Sequence, residues 1–279
     1  MELIRKMNTD YKTTIHELFN LKGKVFLVAG GARDLGRDIS SALAEAGADG
    51  FLTSRNGLSA VETALEISRS TGRVVTGLEL DATKEDAVTD TFNIVLKKKS
   101  HIDILVSCVG GGSVAKGSST IFEERSLAAW ELLHLTNLTS TFLLCKHVVP
   151  IMKKQRSGSI VNIASIAGII GRDMRVYPPE MPSQSIDYAS AKAGIIGVTR
   201  DLASYLGPDG IRVNAISPGG FERGQPESFI KAYSAKTPLR RMGRDGVDIK
   251  GAVLFLCSDA SAYVTGHNLV VDGGFTICQ

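Results

Sequence analysis

A short apolar run, a glycine-rich turn and a helical pattern follow one another at residues 25–47 and restrict the fold more than any other feature. Val25 to Ala29 are continuously apolar, as expected of a strand buried on both faces of a sheet. The turn Gly30-Gly31-Ala32-Arg33-Asp34-Leu35-Gly36 leads into a helical pattern that ends at Gly47. Glycines let a backbone approach a pyrophosphate, and a helix N-terminus favours its charge. The stretch therefore predicts a dinucleotide site.

Further strand-like and helix-like segments alternate along the rest of the chain. We predict strands at 50–53, 74–80, 104–107, 159–164, 212–217 and 269–271, and helices at 84–99, 124–154, 187–206 and 247–258. With the first strand this makes a single α/β domain, a doubly wound, Rossmann-type parallel sheet of seven strands with helices on both faces. We expect this domain to cover residues 21–279, after a polar N-terminal arm at 1–20.

Composition excludes several classes of function. The chain has 279 residues, of which 43% are hydrophobic and 22% charged, as in soluble globular proteins. A formal charge of +3 is too small to indicate a nucleic acid or membrane partner. No apolar run matches a membrane span or a signal peptide. The cysteines and histidines lack metal-ligand spacing, so we expect no metal site and reduced thiols in a cytoplasmic protein.

Tyr188 and Lys192 lie one turn apart on a predicted helix and share one face. A free phenol has a pKa of about 10, and a nearby ammonium would lower it toward the working range. A hydroxyl such as that of Ser165 could hold a substrate oxygen against the phenol. These groups suit acid/base chemistry on a carbonyl/alcohol pair. Because this spacing is common by chance, a surface lysine on an ordinary amphipathic helix is the alternative.

Taken together, the motifs resemble those of the short-chain dehydrogenase/reductase family over residues 21–275. The family's glycine motif falls on residues 29–36, its Asn-Asn-Ala-Gly on 107–110, its Pro-Gly motif on 217–221 and its closing strand and turn on 270–274. The family's catalytic tetrad falls on Asn137, Ser165, Tyr188 and Lys192.

The resemblance implies hydride transfer between C4 of a nicotinamide and a substrate carbon that bears an oxygen. Tyr188 would exchange the proton, Lys192 would lower the pKa of Tyr188 and hold the ribose, and Ser165 would donate to the substrate oxygen. Asn137 would position a water that relays protons. The residues implied in cofactor binding are Gly30, Arg33, Asp34, Leu35, Ser54, Arg55, Asp81, Ala82, Val109, Gly110, Tyr188, Lys192, Pro218, Gly219 and Phe221, of which Asp81 would hold the adenine.

The sequence departs from the family's motifs at three places. Ala29 replaces a threonine whose hydroxyl ties the glycine turn together, and Ser107-Cys108-Val109 replaces Asn-Asn-Ala, whose amides brace the central strands. Asp34 replaces the middle glycine of the turn. Asp34 either caps the following helix, a role that Asp favours, or weakens or alters cofactor binding.

The end of the second strand indicates the cofactor. An acidic residue there binds the ribose hydroxyls of NAD, whereas a nearby arginine admits a 2′-phosphate. Ser54 stands at the aligned position, followed by Arg55, and Arg33 is a second candidate. NADP(H) is therefore favoured, and NAD(H) remains possible. The alternative is that both arginines lie on the surface, with Asp34 neutralising one of them.

Two segments should surround the substrate, which we expect to be a small molecule. The segment 168–187 is longer than its counterpart in the family, and its prolines favour a stiff loop. Arg172 and Arg175 could clamp a carboxylate or phosphate there, or lie on a solvated loop. We predict Ser165, Arg175 and Tyr188 as substrate-binding residues and residues 220–242 as a lid.

Residues 18–25 and the lid are similar to the branch containing gluconate 5-dehydrogenase and related polyol and sugar oxidoreductases. This likeness implies a sugar acid, polyol or keto sugar as substrate, with a 3-oxoacyl-(acyl-carrier-protein) reductase as the alternative. The altered glycine motif also allows a catalytically weak cofactor-binding regulator, and the tetrad allows an epimerase or dehydratase that recycles its nicotinamide. Family resemblance further implies a homotetramer or homodimer.

Overall fold

Seven parallel strands form one sheet in the computed structural model, which describes residues 13–112, 119–179 and 181–278. The strands are β1 Val25–Ala29, β2 Asp49–Ser54, β3 Val75–Glu79, β4 Ile104–Ser107, β5 Gly158–Ile163, β6 Ile211–Pro218 and β9 Asn268–Val271. Their order is β3-β2-β1-β4-β5-β6-β9, and every neighbouring pair is parallel. The predicted seven-stranded parallel sheet is confirmed. The order reverses between β1 and β4, where such folds bind ligands.

Helices connect the strands. They are α1 Ile15–Leu18, α2 Asp34–Glu45, α3 Gly57–Thr71, α4 Glu85–Lys99, α5 Leu127–His134, α6 Ser140–Gln155, α7 Ile186–Leu206, α8 Glu227–Lys236 and α9 Lys250–Cys257. A π-helical turn at Leu135–Thr139 joins α5 to α6 within the stretch 124–154, where helices are predicted. A small parallel ladder of β7 Phe221–Glu222 and β8 Gly243–Arg244 flanks α8.

Alternation along β1 shows how the layers are built. Phe26 and Val28 pack into one core cluster with helices α2, α3 and α9. Val25, Leu27 and Ala29 point the other way, into a second cluster with α4, α6 and α7. Because every residue of β1 is buried, the strand reads as one continuous apolar run. Helices cover both faces of the sheet, as predicted.

The sequence analysis did not identify helix α3. Its buried face consists largely of small residues such as Ala60 and Ala64, whereas Leu58 and Leu65 are exposed. The large apolar side chains therefore do not mark the face that packs against the sheet. Of the predicted N-terminal arm, residues 1–12 lie outside the described residues, and α1 follows them. Among the described helices, none is long and apolar enough to cross a membrane.

Candidate active site

A cavity of about 710 Å³ opens where β1, β4, β5 and β6 end. It brings together residues that are up to 245 positions apart in the sequence, Gly30 and Phe275. Among its lining residues are all those predicted to bind the cofactor, together with Ser165: Gly30, Arg33, Asp34, Leu35, Ser54, Arg55, Asp81, Ala82, Val109, Gly110, Tyr188, Lys192, Pro218, Gly219 and Phe221. Of the predicted site residues, only Asn137 and Arg175 do not line it.

The glycine-rich turn is packed so closely that side chains would not fit at two of its positions. A Cβ atom at Gly30 would lie 2.5 Å from the carbonyl oxygen of Cys108, and one at Gly36 would lie 1.9 Å from that of Gly30. Thr53 on β2 holds the turn, because its carbonyl accepts from the Gly31 amide at 2.9 Å and its hydroxyl faces the Gly30 amide at 3.4 Å. Ala29 thus leaves a turn that is anchored from the neighbouring strand.

Asp34 begins helix α2 in the left-handed region, at φ +50°. Asp tolerates this conformation better than most residues, which accounts for its replacing a glycine there. The N-cap residue is Arg33, and no side chain caps the helix. The interpretation of Asp34 as a helix cap is therefore wrong. Its carboxylate instead lies 3.7 Å from the Nε atoms of both Arg33 and Arg223.

Ser165, Tyr188 and Lys192 meet at the centre of the cavity. Ser165 follows β5, and its hydroxyl interacts with the phenol of Tyr188, which lies in the first turn of α7. One turn further on, the Lys192 Nζ atom donates to the Ile163 carbonyl oxygen at 2.9 Å. The same atom lies 5.7 Å from the centre of the Tyr188 ring. All three side chains are buried.

Burial governs the ionisation of this group. It raises the pKa of Tyr188, while the hydrogen bond with Ser165 lowers it. Burial lowers the pKa of Lys192 to about 8. Removal from water disfavours the charged forms of both groups, so the pKa of Tyr188 is raised overall and that of Lys192 is lowered. That Lys192 lowers the pKa of Tyr188 stays a prediction. A phenol that retains its proton is suited to donate it to a substrate oxygen.

Asn137 lies in the π-helical turn and shapes the loop after β4. Its Oδ1 atom accepts from the Gly111 amide at 3.0 Å, and its Nδ2 atom donates to the Leu133 carbonyl at 3.1 Å. A Cβ atom at Gly110 would lie 2.2 Å from Oδ1, so this approach requires a glycine. Asn137 thus positions one wall of the cavity, and its role in holding a water remains a prediction.

The altered Asn-Asn-Ala segment has a bracing contact of its own. The Ser107 hydroxyl lies 2.9 Å from that of Thr141 and links β4 to α6. Thr141 in turn donates to the Asn137 carbonyl at 2.8 Å. Cys108 lines the cavity, and burial raises its pKa to about 11. A hydroxyl pair therefore braces the strand where the family's motif has amides.

The far end of the cavity carries Arg55 and Asp81. The Asp81 carboxylate accepts from the Thr83 hydroxyl at 2.7 Å and from the Thr83 amide at 3.1 Å. These bonds with Thr83 lower the pKa of Asp81, and the charge of Arg55 adds to the effect. The Ser54 hydroxyl accepts from the Asn56 amide at 3.1 Å, which holds the turn after β2.

Arg175 does not reach the cavity. Its Nε and Nη2 atoms both donate to Asp173 at 2.8 Å, and its side chain is 83% exposed. Asp173 also accepts from Lys236 on α8 at 2.6 Å, so the pairing ties the loop to the lid. The structure thus does not support Arg175 as a substrate-binding residue, because its guanidinium pairs with Asp173 at the protein surface. Arg172 lines the cavity instead and donates to the Ser183 hydroxyl at 3.1 Å.

The loop 168–187 and the lid line one half of the cavity, which we call the substrate half. This half is mostly apolar, a property that is not predicted from the sequence. The loop and the lid contribute aromatic rings that contact each other, with centroids 5.5 Å apart for Tyr177 and Phe229. Tyr233 stacks on Phe275 at 4.2 Å, and its hydroxyl accepts from the Gly220 amide at 2.6 Å. The recurrence of Phe229 and Tyr233 at helical spacing in the predicted lid was the available signal.

No group of three or more side chains is placed to hold a metal ion within the part of the chain that the structure describes. The four cysteines, Cys108, Cys145, Cys257 and Cys278, are free thiols.

Comparison with known proteins places this geometry in a family. The profile of the family described as Enoyl-(Acyl carrier protein) reductase matches residues 30–276. The chain is 35% identical to the 3-oxoacyl-[acyl-carrier-protein] reductase FabG of Aquifex aeolicus over 258 residues, which cover 91% of this chain and 98% of that protein.

Solved structures agree in fold. The NADPH-dependent 3-quinuclidinone reductase of Rhodotorula rubra superposes with a TM-score of 0.84 at 30% identity, over 95% of this chain and 96% of that one. A candidate gluconate dehydrogenase from Agrobacterium tumefaciens gives 0.83 at 30% identity, over 92% and 98%. With the buried serine, tyrosine and lysine and the glycine-rich turn, these matches show that the chain belongs to the short-chain dehydrogenase/reductase family of oxidoreductases.

Proposed function

We propose that this protein is an NADP(H)-dependent enzyme that interconverts a carbonyl group and a secondary alcohol. The observation that carries the proposal is the convergence of Ser165, Tyr188 and Lys192 in one cavity with the glycine-rich turn. A dinucleotide fits this arrangement, because the first residues of α2 line the cavity beside the glycine-rich turn, and a helix N-terminus favours a phosphate group. When bound, the nicotinamide supplies or accepts the hydride.

The chain's own groups supply the proton and stabilise charge. In reduction, the carbonyl carbon gains a hydride and the oxygen gains a proton from the Tyr188 hydroxyl. The Ser165 hydroxyl donates a hydrogen bond to the same oxygen, where negative charge develops. The Lys192 ammonium stabilises the phenolate that remains on Tyr188. Oxidation of the alcohol runs through the same groups in the opposite direction, with Tyr188 accepting the proton.

Preference for NADP(H) is supported by the charge at the adenosine end of the cavity. Arg33 and Arg55 both line it, and Ser54 rather than an acidic residue ends β2. A guanidinium binds a 2′-phosphate well, because its planar fork matches the phosphate oxygens. Asp34 lies 3.7 Å from Arg33 and offsets part of that charge, while Arg55 has no such carboxylate partner among the ion pairs of the described residues.

The lining of the substrate half favours a ketone that carries an apolar group. Its wall offers few polar atoms to the hydroxyl groups of a sugar, because it is built from Val176, Tyr177, Phe229, Tyr233 and Phe275. This wall supports the alternative substrate of the sequence analysis, a 3-oxoacyl group, in keeping with the name of the Aquifex aeolicus relative. A sugar acid or polyol draws support from the gluconate dehydrogenase likeness and from Arg172 as a partner for a carboxylate.

The proposal is tested by turnover and by binding in matched variants. Purified protein is assayed with NADPH against 3-oxoacyl thioesters, keto sugars and apolar ketones by the absorbance of reduced nicotinamide. Tyr188→Phe should lower turnover about 10²- to 10⁴-fold and leave NADPH affinity unchanged. Tyr205→Phe, an exposed position on the same helix, is the control and should keep full activity. Wild-type protein that binds NADPH but turns over none of these substrates would instead support the regulator alternative.

A further inference from the structure

Arg223 belongs to the start of the lid and lies beside the glycine-rich turn, where three carboxylates face it. It follows β7, lines the cavity and has a side chain that is 23% exposed. Its Nη2 atom pairs with Asp245 and lies 3.8 Å from Asp38, and its Nε atom lies 3.7 Å from Asp34. These contacts join the start of the lid to helix α2, although 189 positions separate Asp34 from Arg223 in the sequence.

One donor of the Arg223 guanidinium is unused. The Nε atom is buried and makes no hydrogen bond, since its distance of 3.7 Å to Asp34 exceeds a hydrogen bond. A buried N–H without an acceptor is unfavourable, so the carboxylates do not use every donor of the guanidinium. Because Arg223 lines the cavity, an anion that enters there can form a charge-assisted hydrogen bond with its guanidinium.

The backbone that carries Arg223 is held in place before any ligand binds. Its amide donates to the Gln225 side chain at 2.7 Å, and the Gln225 side chain donates to the Phe221 carbonyl at 2.8 Å. On the other side, the Gly246 amide donates to Asp38 at 2.9 Å, which fixes the loop that carries Asp245 against α2. Arg223 is therefore preorganised beside the turn.

Asp34 alone would oppose an anionic cofactor. It places a carboxylate in the turn that should approach the pyrophosphate. The negative charges of the carboxylate and the pyrophosphate repel each other at short range. Arg223 brings a positive charge to the same spot, which it shares among Asp34, Asp38 and Asp245. The two residues thus form a charge pair across the mouth of the cavity.

We propose, on the basis of the dinucleotide function proposed above, that Arg223 is a positioning residue for the cofactor's pyrophosphate and that Asp34 orients it. Asp34 holds the guanidinium beside the glycine-rich turn, and the guanidinium, which belongs to a residue that lines the cavity, binds a phosphate oxygen there. A guanidinium from the lid thus offsets part of the negative charge that Asp34 adds to the glycine motif.

The test is calorimetric affinity for both NADPH and NADH, which share the pyrophosphate. Arg223→Ala should weaken both by a common factor of about 10- to 100-fold, and Arg223→Lys should recover part of that loss. Asp34→Gly combined with Arg223→Ala should bind more tightly than Arg223→Ala alone, because the uncompensated carboxylate is gone. Arg244→Ala is the control, since Arg244 pairs with Asp248 outside the cavity, and it should leave both affinities unchanged.

The outcomes separate this inference from the function on which it rests. If wild-type protein binds neither dinucleotide, the proposed function fails first. If wild-type protein binds and Arg223→Ala leaves both affinities unchanged, Arg223 only fastens the lid and the inference is overturned. A loss confined to NADPH would also overturn it, because Arg223 would then contact the 2′-phosphate. Should Arg223→Ala fail to fold, Arg223→Gln keeps the stem and carries the same expectation of a common loss.

Discussion

Asp187 and Arg125 form an ion pair that is almost completely buried, with the Arg125 Nε atom 2.9 Å from Oδ2 of Asp187. Asp187 immediately precedes Tyr188 on α7, and Arg125 lies just before α5. Arg125 also donates to the Ser119 carbonyl at 2.9 Å, which fixes its direction. The pair therefore attaches the start of the helix that carries Tyr188 and Lys192 to the segment that leads into α5.

Breaking this pair on one side should destabilise the fold. Arg125→Ala leaves the Asp187 carboxylate buried and unpaired, which typically costs about 3–5 kcal/mol. Urea denaturation should show that loss, whereas Arg125→Met combined with Asp187→Leu should lose less than either single substitution. The exposed Arg244, which pairs with Asp248, supplies the control, because Arg244→Ala leaves Asp248 paired with Arg241 and should change stability little. Equal, small effects at both sites would contradict a structural role for the buried pair.

The buried ammonium of Lys192 should make stability depend on pH. Its pKa falls from 10.5 to about 8 in the folded protein, so between these values the unfolded chain binds more protons and stability rises with pH. Below about pH 8 the full penalty remains, up to about 3 kcal/mol. Lys192→Met should therefore be more stable than wild type near neutral pH, by an amount that shrinks toward about pH 10.

The measurement is urea unfolding of both proteins without cofactor across that range. Lys97→Met, at the exposed end of α4, is the matched control and should track wild type at every pH. A stability difference between Lys192→Met and wild type that does not change with pH would show that the ammonium is not destabilised by burial.

Cofactor preference should depend on two arginines. Arg55→Ala and Arg33→Ala should each weaken NADPH binding about 10-fold or more and leave NADH affinity almost unchanged, because only NADPH carries the 2′-phosphate. Calorimetry with both dinucleotides measures the ratio. Arg37→Ala, on α2 and outside the cavity lining, serves as the control. A wild-type protein that prefers NADH would contradict the assignment.

Arg172, and not Arg175, should contribute to the binding of negatively charged substrates. For carbonyl substrates that carry a carboxylate or phosphate, Arg172→Ala should raise KM about 10-fold with little change for neutral ketones. Arg175→Ala should leave KM unchanged for both classes, since its guanidinium pairs with Asp173 on the protein surface. A rise in KM with Arg175→Ala alone would restore the original expectation.

Features that depend on the local pattern of residues could be predicted from the sequence. The apolar run of β1 specified a strand buried on both faces, and the spacing of Tyr188 and Lys192 placed them on one face of a helix. The effect of burial, which raises the pKa of Tyr188, was not predicted, because desolvation depends on every element packed around the cavity.

Other features depended on contacts between distant segments. Arg172 and Arg175 lie in the same loop, and the sequence does not distinguish between them. In the structure Arg175 pairs with Asp173, which also binds Lys236, whereas Arg172 lines the cavity. The pairing of Asp34 with Arg223 likewise requires the lid to fold back over α2. Helix α3 escaped notice because small residues form its buried face while Leu58 and Leu65 point to solvent.

The most direct test of the central claim is a single turnover with NADPH that carries deuterium at C4 of the nicotinamide, followed by mass spectrometry of the alcohol. The account predicts that one deuterium appears on the former carbonyl carbon with wild-type protein and that Tyr188→Phe transfers almost none in the same time. Product formed without deuterium from either C4 position, or equal transfer by Tyr188→Phe, would contradict hydride transfer assisted by Tyr188.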